Sequence, residues 1–215
     1  MPTPVPLLST PDHIGKLSSV FNFDEKARIY HAGEPLFAEG DPASYFYKLV
    51  HGAVICFKSL ADGSRSIDSF RLAGDVFDFD CDGEHEFSAV AVSNVSVRVA
   101  DRNAVFLRAA ADRAAGQELL GATYQEIRRV QRRSMLLAMS ARERVASFLL
   151  EMSERLGQPD IVELPMSRQD IADYLGLTIE TVSRMFTQLN RAGLIGSRTR
   201  SVALRNSPTL KVMTE

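Results

Sequence analysis

Residues 165–195 constrain the fold of this chain more than any other stretch, because they combine two helix starts with a turn that few residue types allow. Ser167, with Asp170 three residues later, is typical of a capping box and predicts the start of a first helix. Gly176 is expected to end that helix, since a residue without Cβ readily adopts the left-handed conformation of a sharp turn. Thr178 is expected to cap a second helix. Two short helices joined in this way form a helix-turn-helix.

The predicted second helix has one apolar and one polar face. Its apolar residues at helical spacing are Val182, Met185, Phe186 and Leu189. The opposite face presents Ile179, Glu180, Ser183, Arg184 and Thr187. Glutamate accepts from cytosine N4, arginine donates to guanine O6 and N7, and a small apolar group contacts the thymine methyl. This face predicts a recognition helix for the major groove of DNA. A plain corner between two helices, with a solvated charged face, is the alternative.

A basic segment follows the motif. Residues 194–197 and 201–204 flank Arg198, Thr199 and Arg200, which predicts a small β-hairpin, or wing, with two arginines at its tip that meet DNA phosphates. The net charge of −2 argues against nucleic-acid binding. However, residues 1–107 carry 9 Lys+Arg against 15 Asp+Glu (−6), and residues 108–215 carry 16 against 12 (+4). A basic C-terminal module beside an acidic N-terminal one is typical of phosphate binding by one end of a chain.

Residues 26–100 are typical of an antiparallel β domain. Short apolar segments alternate with glycine-containing turns at intervals of roughly ten residues, which predicts a sandwich or barrel. Asp62-Gly63, between two strand-like segments, is a strong hairpin signal. The prolines at positions 2, 4, 6 and 11 predict an extended arm in front of this domain.

The hydrophobic period changes to about 3.5 residues near residue 103. This predicts a long helix from roughly residue 103 to residue 137 with one weakly apolar seam, which forms either half of a dimer interface or an ordinary packed face. The seam comprises Gly116, Leu120, Thr123, Ile127, Val130, Ser134 and Leu137. Four arginines outside the seam are interpreted as a solvated face, namely Arg128, Arg129, Arg132 and Arg133. A further helix is predicted over residues 141–156, ended by Gly157.

The order of these parts, a glycine-punctuated β-roll, a long helix and a winged helix-turn-helix, resembles the CRP/FNR family of bacterial transcription regulators. Glu180-x-x-Ser183-Arg184 matches the recognition signature of the FNR side of that family. Segments such as EGDPASYFYKLVHGAV and LAGDVFDFD are similar to its FixK branch, regulators of microaerobic respiration and nitrogen fixation. The resemblance implies an α+β fold: an N-terminal antiparallel β-roll of the cyclic-nucleotide-binding type in residues 1–102, a dimerisation helix in 103–138, and a C-terminal winged helix-turn-helix in 139–215.

The same resemblance implies a homodimer that binds double-stranded DNA at a palindrome of the type TTGAT-N4-ATCAA and acts with RNA polymerase as an activator. Glu180 and Arg184 would contact the G·C pair of each half-site, with Ile179 and Ser183 near neighbouring thymines. The implied contacts to the DNA backbone come from Ser167, Arg168, Gln169, Thr178, Thr181, Arg198 and Arg200. Such a dimer needs its recognition helices about 34 Å apart. The expected dimer interface comprises Leu120, Thr123, Ile127, Val130, Ser134 and Leu137.

The residues of the known sensor sites in this family differ here. Members with a [4Fe–4S] cluster carry several cysteines, most of them near the N-terminus, whereas this chain has only Cys56 and Cys81. Members that bind cyclic AMP hold its phosphate with an Arg-Ser pair. The corresponding place here is Phe87-Ser88, and an aromatic ring cannot pair with a phosphate. We therefore expect DNA binding without a cofactor, with control by an unidentified effector as the alternative.

The acidic run 78–86 offers carboxylates, the Cys81 thiol and the His85 imidazole, but without a recognisable ligand spacing. A solvated loop is the simpler interpretation, and metal, haem or redox control at this loop is the alternative. Cys56 is expected to be inert core, and Cys81 to be the more exposed thiol. At Ser167, an added charge would repel a neighbouring DNA phosphate.

Other functional classes have less support. The chain contains no P-loop, G-x-S-x-G or H-E-x-x-H, so an enzyme is not expected. A β-roll that binds a small ligand without any DNA function is a further alternative, but it would not need a helix-turn-helix. The sequence has no apolar run of roughly 20 residues and no signal peptide pattern at its start. The chain has only two cysteines, Cys56 and Cys81, which form no disulfide framework. Together these observations predict a cytoplasmic protein with reduced thiols, outside the membrane.

Overall fold

The computed structural model describes residues 18–80 and 82–214. Its N-terminal half is an antiparallel β-roll, as predicted, built from two four-stranded sheets with the orders β1-β8-β3-β6 and β2-β7-β4-β5. Side chains of both sheets, among them Tyr47, Val54 and Val97, pack into one core between the sheets. The strands are β1 (Arg28–Tyr30), β2 (Pro35–Phe37), β3 (Tyr45–His51), β4 (Ala53–Ser59), β5 (Arg65–Leu72), β6 (Val76–Phe77), β7 (Ser88–Ala91) and β8 (Val95–Asp101). The proline-rich arm lies outside the described residues.

The β4–β5 hairpin forms at the predicted place. Ser59 pairs with Arg65 across the turn, and Gly63 takes a φ of 82°, a conformation that favours glycine. The Asp62 carboxylate accepts hydrogen bonds from the Ser64 backbone N–H at 2.9 Å and from the Ser64 hydroxyl at 2.6 Å. The strand that follows this hydrogen-bonded turn, β5, contacts the C-terminal half of the chain.

The helix expected from residue 103 to residue 137 is in fact two helices, so that prediction was wrong at one point. α2 (Arg102–Ala111) ends and α3 (Arg113–Ala138) begins at Asp112, whose backbone is extended (φ −126°, ψ 120°). The Asp112 carboxylate caps α3 by accepting a backbone N–H at 2.8 Å, because aspartate competes for backbone donors. A Cβ on Gly116 would lie 2.9 Å from the Ala109 carbonyl oxygen. Gly116 therefore permits a close α2–α3 contact within one chain.

The C-terminal part is a winged helix-turn-helix. The helix predicted over 141–156 is confirmed: Ser140 and Glu143 form a capping box, and Gly157 (φ 63°) ends the helix. The wing strands join a further strand, β9, in the order β10-β11-β9; no sequence pattern had indicated β9 or α7. The remaining elements are α1 (Ser18–Phe21), α4 (Ala141–Leu156), β9 (Ile161–Glu163), α5 (Arg168–Leu175), α6 (Ile179–Arg191), β10 (Ile195–Ser197), β11 (Ser201–Leu204) and α7 (Ser207–Val212). No helix within residues 18–80 and 82–214 has the length and apolar character needed to span a bilayer.

The β-roll and the helix-turn-helix share a hydrophobic core. Phe70 of β5 lies 6.0 Å from Phe148 of α4 and 5.0 Å from Tyr174 of α5, measured between ring centroids. Ile55 and Ile67 of the roll belong to the same buried cluster. We call this cluster the shared core. It docks the helix-turn-helix on the outer face of β4 and β5.

Ion pairs surround the shared core. Those that join the roll to α3 and α4 are Arg71–Glu126 (2.7 Å), Arg129–Asp75 (3.7 Å), Arg133–Asp68 (2.9 Å) and Arg155–Asp75 (2.7 Å). The interpretation of Arg129 and Arg133 as part of a solvated face was therefore wrong, because both pair with carboxylates of the roll. Arg128 and Arg132 are exposed, in agreement with it.

Candidate nucleic-acid interface

The first helix of the motif, α5, begins as the sequence predicts. The Asp170 carboxylate accepts from the Ser167 backbone N–H at 2.8 Å and from its hydroxyl at 2.7 Å, and the Ser167 Oγ accepts from the Asp170 N–H at 3.1 Å. This is a complete capping box. Gly176 ends the helix with a φ of 62°. The side chains of Ser167 and Gln169 stay exposed at the start of α5.

The second helix, α6, separates its two faces as predicted. Its buried residues are Val182, Met185, Phe186 and Leu189. On the other side Glu180, Ser183 and Arg184 are exposed, and Ile179 keeps 37% of its surface accessible. Thr178 caps the helix by accepting from the Thr181 N–H at 3.3 Å. The residues that the sequence assigns to base contacts therefore lie together on one open surface.

The chemistry of this surface suits base edges. A hydrogen bond from the backbone N–H of Glu180, with a further one from Thr178, lowers the pKa of the Glu180 carboxyl, so the group is an ionised acceptor at neutral pH. Within the part of the chain that the structure describes, the only hydrogen-bond contact of Arg184 is a 3.4 Å contact to the Thr181 hydroxyl. A hydrogen-bond acceptor and a guanidinium donor thus lie one helical turn apart on α6, and these are the groups that pair with cytosine and guanine edges.

The wing forms where the sequence predicts it. β10 and β11 pair from Ile195↔Leu204 to Ser197↔Val202, and the Arg198 N–H donates to the Ser201 carbonyl at 2.8 Å. Arg198 and Arg200 are exposed at the tip. Ser167, Thr199 and Arg200 line one groove between the wing and the start of α5. The wing tip and the α5 N-terminus therefore present donors to the same side of the molecule.

Arg168 is placed differently from the other predicted backbone contacts. Its guanidinium carbon lies 3.5 Å from the centroid of the Phe186 ring, and Nη2 donates to the Ser197 hydroxyl at 3.0 Å. Burial lowers the pKa of this guanidinium. Arg168 thus joins α5, α6 and the wing. Arg205, which no motif singled out, packs closely against Gly196 in wing strand β10. A Cβ on Gly196 would lie 2.9 Å from the Arg205 Nε.

The seam of α3 carries exposed apolar side chains in the single chain. Leu120 is 70% exposed, Ile127 50% and Val130 58%. Ser134 and Leu137 are also exposed, whereas Thr123 is half-buried and its hydroxyl donates to the Leu119 carbonyl at 3.0 Å. Two further exposed apolar residues of α3, Tyr124 and Met135, lie beside the seam and were missed by the heptad spacing. Large apolar groups on one helix are typical of an interaction surface.

The interior of the β-roll is filled by aromatic rings. Phe37, Tyr47 and Phe77 lie within 6.5 Å of one another between centroids, and the His85 ring stacks on Phe37 at 3.8 Å. Cys56 is buried in the same core, as expected, and this burial raises the pKa of its thiol.

The loop containing His85 is solvated only in part: Asp82, Glu84 and Glu86 are exposed, as the sequence suggested, whereas Asp78 and His85 are buried. His85 is 3% exposed, and its Nδ1 lies 2.9 Å from Asp78 Oδ1. Arg102, at the start of α2, donates to Asp78 Oδ2 at 2.8 Å. Asp80 completes a group whose potential metal-ligand atoms lie within 4.8 Å of one another. Both Asp78 oxygens are thus engaged, one by the His85 ring and the other by a guanidinium, so Asp78, His85 and Arg102 form a buried hydrogen-bonded network. Cys81 lies outside the described residues.

Comparisons with known proteins agree with this arrangement. Residues 27–111 match the cyclic nucleotide-binding domain family, and residues 143–213 match the Crp-like helix-turn-helix domain family. The nitrogen fixation regulation protein FixK of Rhizobium meliloti is 37% identical over 185 residues, covering 86% of this chain and 81% of that protein. The transcriptional activatory protein AadR of Rhodopseudomonas palustris is 41% identical, covering 77% and 72%. The structure of FixK2 from Bradyrhizobium japonicum superposes with a TM-score of 0.84 at 41% identity, covering 88% of this chain and 97% of that one.

Proposed function

Because this chain belongs to the CRP/FNR family of DNA-binding transcription regulators, we propose that it is a FixK-like activator which binds a TTGAT-N4-ATCAA-type palindrome as a homodimer. The observation that carries this proposal is the open face of α6, with Glu180, Ser183 and Arg184 beside a wing that carries two exposed arginines. The relatives are named as a nitrogen fixation regulator and a transcriptional activator. We accordingly propose microaerobic respiration or nitrogen fixation genes as targets, and RNA polymerase as the partner on the promoter.

The proposed base contacts follow the geometry of α6. Glu180 accepts from cytosine and Arg184 donates to guanine in each half-site, while Ile179 and Ser183 approach neighbouring thymines. Residues at the two helix starts and at the wing contact phosphates, namely Ser167, Gln169, Thr178, Thr181, Arg198 and Arg200. Arg168 holds the wing against α6 through Phe186 and Ser197, and offers only its remaining N–H groups to a phosphate.

The proposed dimer uses the seam of α3. A second copy would cover Leu120, Ile127 and Val130, which one chain leaves largely exposed. The two-fold symmetry of such a dimer matches a palindrome, and places two copies of α6 about 34 Å apart for successive major grooves.

We further propose that the protein binds DNA without an effector. Aromatic side chains occupy the space between the sheets of the roll. At the place of the phosphate-binding pair the chain has Phe87, which the Lys58 ammonium approaches to 5.2 Å. Control by an effector at the His85 loop is the competing hypothesis.

Selection of binding sites from random DNA tests these points together. Full-length protein purified without any added small molecule should enrich the palindrome, with symmetric half-sites. Enrichment of an unrelated or asymmetric site would contradict the proposed recognition. Enrichment only after a small molecule is added would contradict effector independence.

A further inference from the structure

Arg65, at the start of β5 in the β-roll, reaches across to the first helix of the helix-turn-helix. Its Nη2 donates to Asp170 Oδ1 at 2.9 Å and lies 3.5 Å from Asp173 Oδ2. Its guanidinium carbon stands 5.5 Å from the centroid of the Phe57 ring, on the neighbouring strand. The guanidinium thus contacts Phe57 of the roll and two carboxylates of α5 at the same time.

The two carboxylates also hold residues that face the DNA in the proposed complex. Asp170 Oδ2 accepts from both the backbone N–H and the hydroxyl of Ser167. Asp173 Oδ1 accepts from the Gln169 amide at 2.6 Å. In each carboxylate one oxygen orients a proposed phosphate contact, and the other oxygen faces Arg65.

The charge of Arg65 matters at this place. Asp170 and Asp173 are mostly buried, with 12% and 14% of their side chains exposed. They lie beneath the α5 surface that would meet DNA phosphates, which their negative charges would repel across a low-dielectric medium. A guanidinium between them offsets that repulsion and fixes both carboxylates in the orientation that Ser167 and Gln169 need.

We propose that Arg65 is a positioning residue for DNA binding: from the β-roll, it neutralises Asp170 and Asp173 and thereby holds the start of α5, with Ser167 and Gln169, in the position that meets the DNA backbone. This inference rests on the proposed DNA-binding function. In this proposal the first residue of β5 affects the affinity for DNA through the two carboxylates of α5. This effect is separate from the apolar contact that Phe70 makes with the helix-turn-helix.

The test compares Arg65→Ala with a matched control in the same hairpin. Lys58 is equally exposed (37%, against 36% for Arg65), but its ion pairs with Glu39 and Glu86 stay within the roll. Affinity for the palindrome is measured by fluorescence anisotropy on full-length protein. Because the Arg65 side chain is 36% exposed, we take the lower end of the usual coupling range, about 5-fold for each subunit. A homodimer carries the substitution twice, so Arg65→Ala should bind the palindrome about 25-fold more weakly. Lys58→Ala should bind like the wild type, and Arg65→Lys, which keeps the charge, should recover most of the affinity.

Two further measurements separate positioning from stability. Thermal unfolding and sedimentation should show Arg65→Ala folded and dimeric; Arg65→Gln, which keeps most of the side-chain length, replaces it if the alanine variant unfolds. In the Asp173→Asn background the loss caused by Arg65→Ala should shrink, because one of its two partners is already neutral. Wild-type protein that fails to bind the palindrome refutes the proposed function. Wild-type binding with unchanged Arg65→Ala affinity, or with no recovery in Arg65→Lys, refutes the role of Arg65.

Discussion

Substitution of Arg184 by alanine isolates base recognition from folding. The side chain is exposed on α6, and among the described residues it makes a hydrogen-bond contact to the Thr181 hydroxyl alone, at 3.4 Å. Its removal therefore opens no cavity and leaves no buried partner without a hydrogen bond. The wild-type fold and the wild-type dimer should both persist, so a change in affinity reports on the DNA contact.

The size of the effect follows from symmetry. A bidentate arginine–guanine contact contributes about 1–3 kcal/mol of discrimination, and a homodimer makes that contact twice. Half-sites about 34 Å apart are too distant to couple, so the two losses should add to about 2–6 kcal/mol. Since about 1.4 kcal/mol corresponds to a tenfold change in Kd, the Kd for the palindrome should rise by at least about 30-fold.

Fluorescence anisotropy on two duplexes measures this loss: the parent palindrome, and a palindrome with the G·C pair replaced in both half-sites. Wild-type protein should prefer the parent, and Arg184→Ala should show a much weaker preference, because only the Glu180–cytosine contact still distinguishes the two duplexes. Arg191→Ala is the matched control, since Arg191 is exposed in the last turn of the same helix and its removal costs the same charge. If Arg184→Ala keeps the wild-type preference for G·C, the assignment of Arg184 to guanine is wrong.

Three other substitutions test the backbone contact, the dimer and the shared core. Ser167→Asp should weaken DNA binding more than Ser167→Asn, a neutral helix cap, because only the aspartate repels a phosphate; equal anisotropy curves for the two would exclude a nearby phosphate. Ile127→Glu should give monomers in sedimentation and lose palindrome binding, whereas Gln125→Glu, exposed outside the seam, should stay dimeric; a dimeric Ile127→Glu protein would exclude the seam. Phe70→Ala should lower the free energy of unfolding by about 3–5 kcal/mol in urea titrations. Ile29→Ala, at an exposed position, should lower it by less than about 0.5 kcal/mol. Similar losses in both variants would show that Phe70 does not stabilise the shared core.

The helix-turn-helix was predictable because its signals are local. The capping box at Ser167, the left-handed Gly176 and the apolar period of α6 each depend on residues within one or two helical turns. All three are present in the structure at the predicted positions. Each signal also marks an element boundary, so the exposed face of α6 followed from the sequence with its residues in the right places.

The features that the sequence did not predict depend on contacts between distant parts of the chain. Arg133 looks like any exposed cation in a helix until β5 brings Asp68 within 2.9 Å. The run around His85 is polar by composition, which suggested a solvated loop. However, Arg102 of α2 pairs with Asp78, and this ion pair offsets the cost of burying the Asp78 carboxylate. Asp112 was the exception, since its capping preference is local and could have indicated the break between α2 and α3.

The shared core bears on how the β-roll could control DNA binding. Movement of the helix-turn-helix away from β5 would expose Phe70, Phe148 and Tyr174, which are buried together. At about 1.5–3 kcal/mol for each fully exposed large side chain, that exposure costs at most about 5–9 kcal/mol, because Phe148 and Tyr174 keep their contact with each other. A ligand that turns a 1:99 equilibrium into 99:1 needs a differential affinity of about 5.5 kcal/mol. If the docked state is the DNA-binding state, the chain reaches it without help, and an effector that acts on the docking could only oppose it. This favours control of DNA binding by the amount of protein. An effector that binds the roll and weakens the docking would act as an inhibitor of DNA binding.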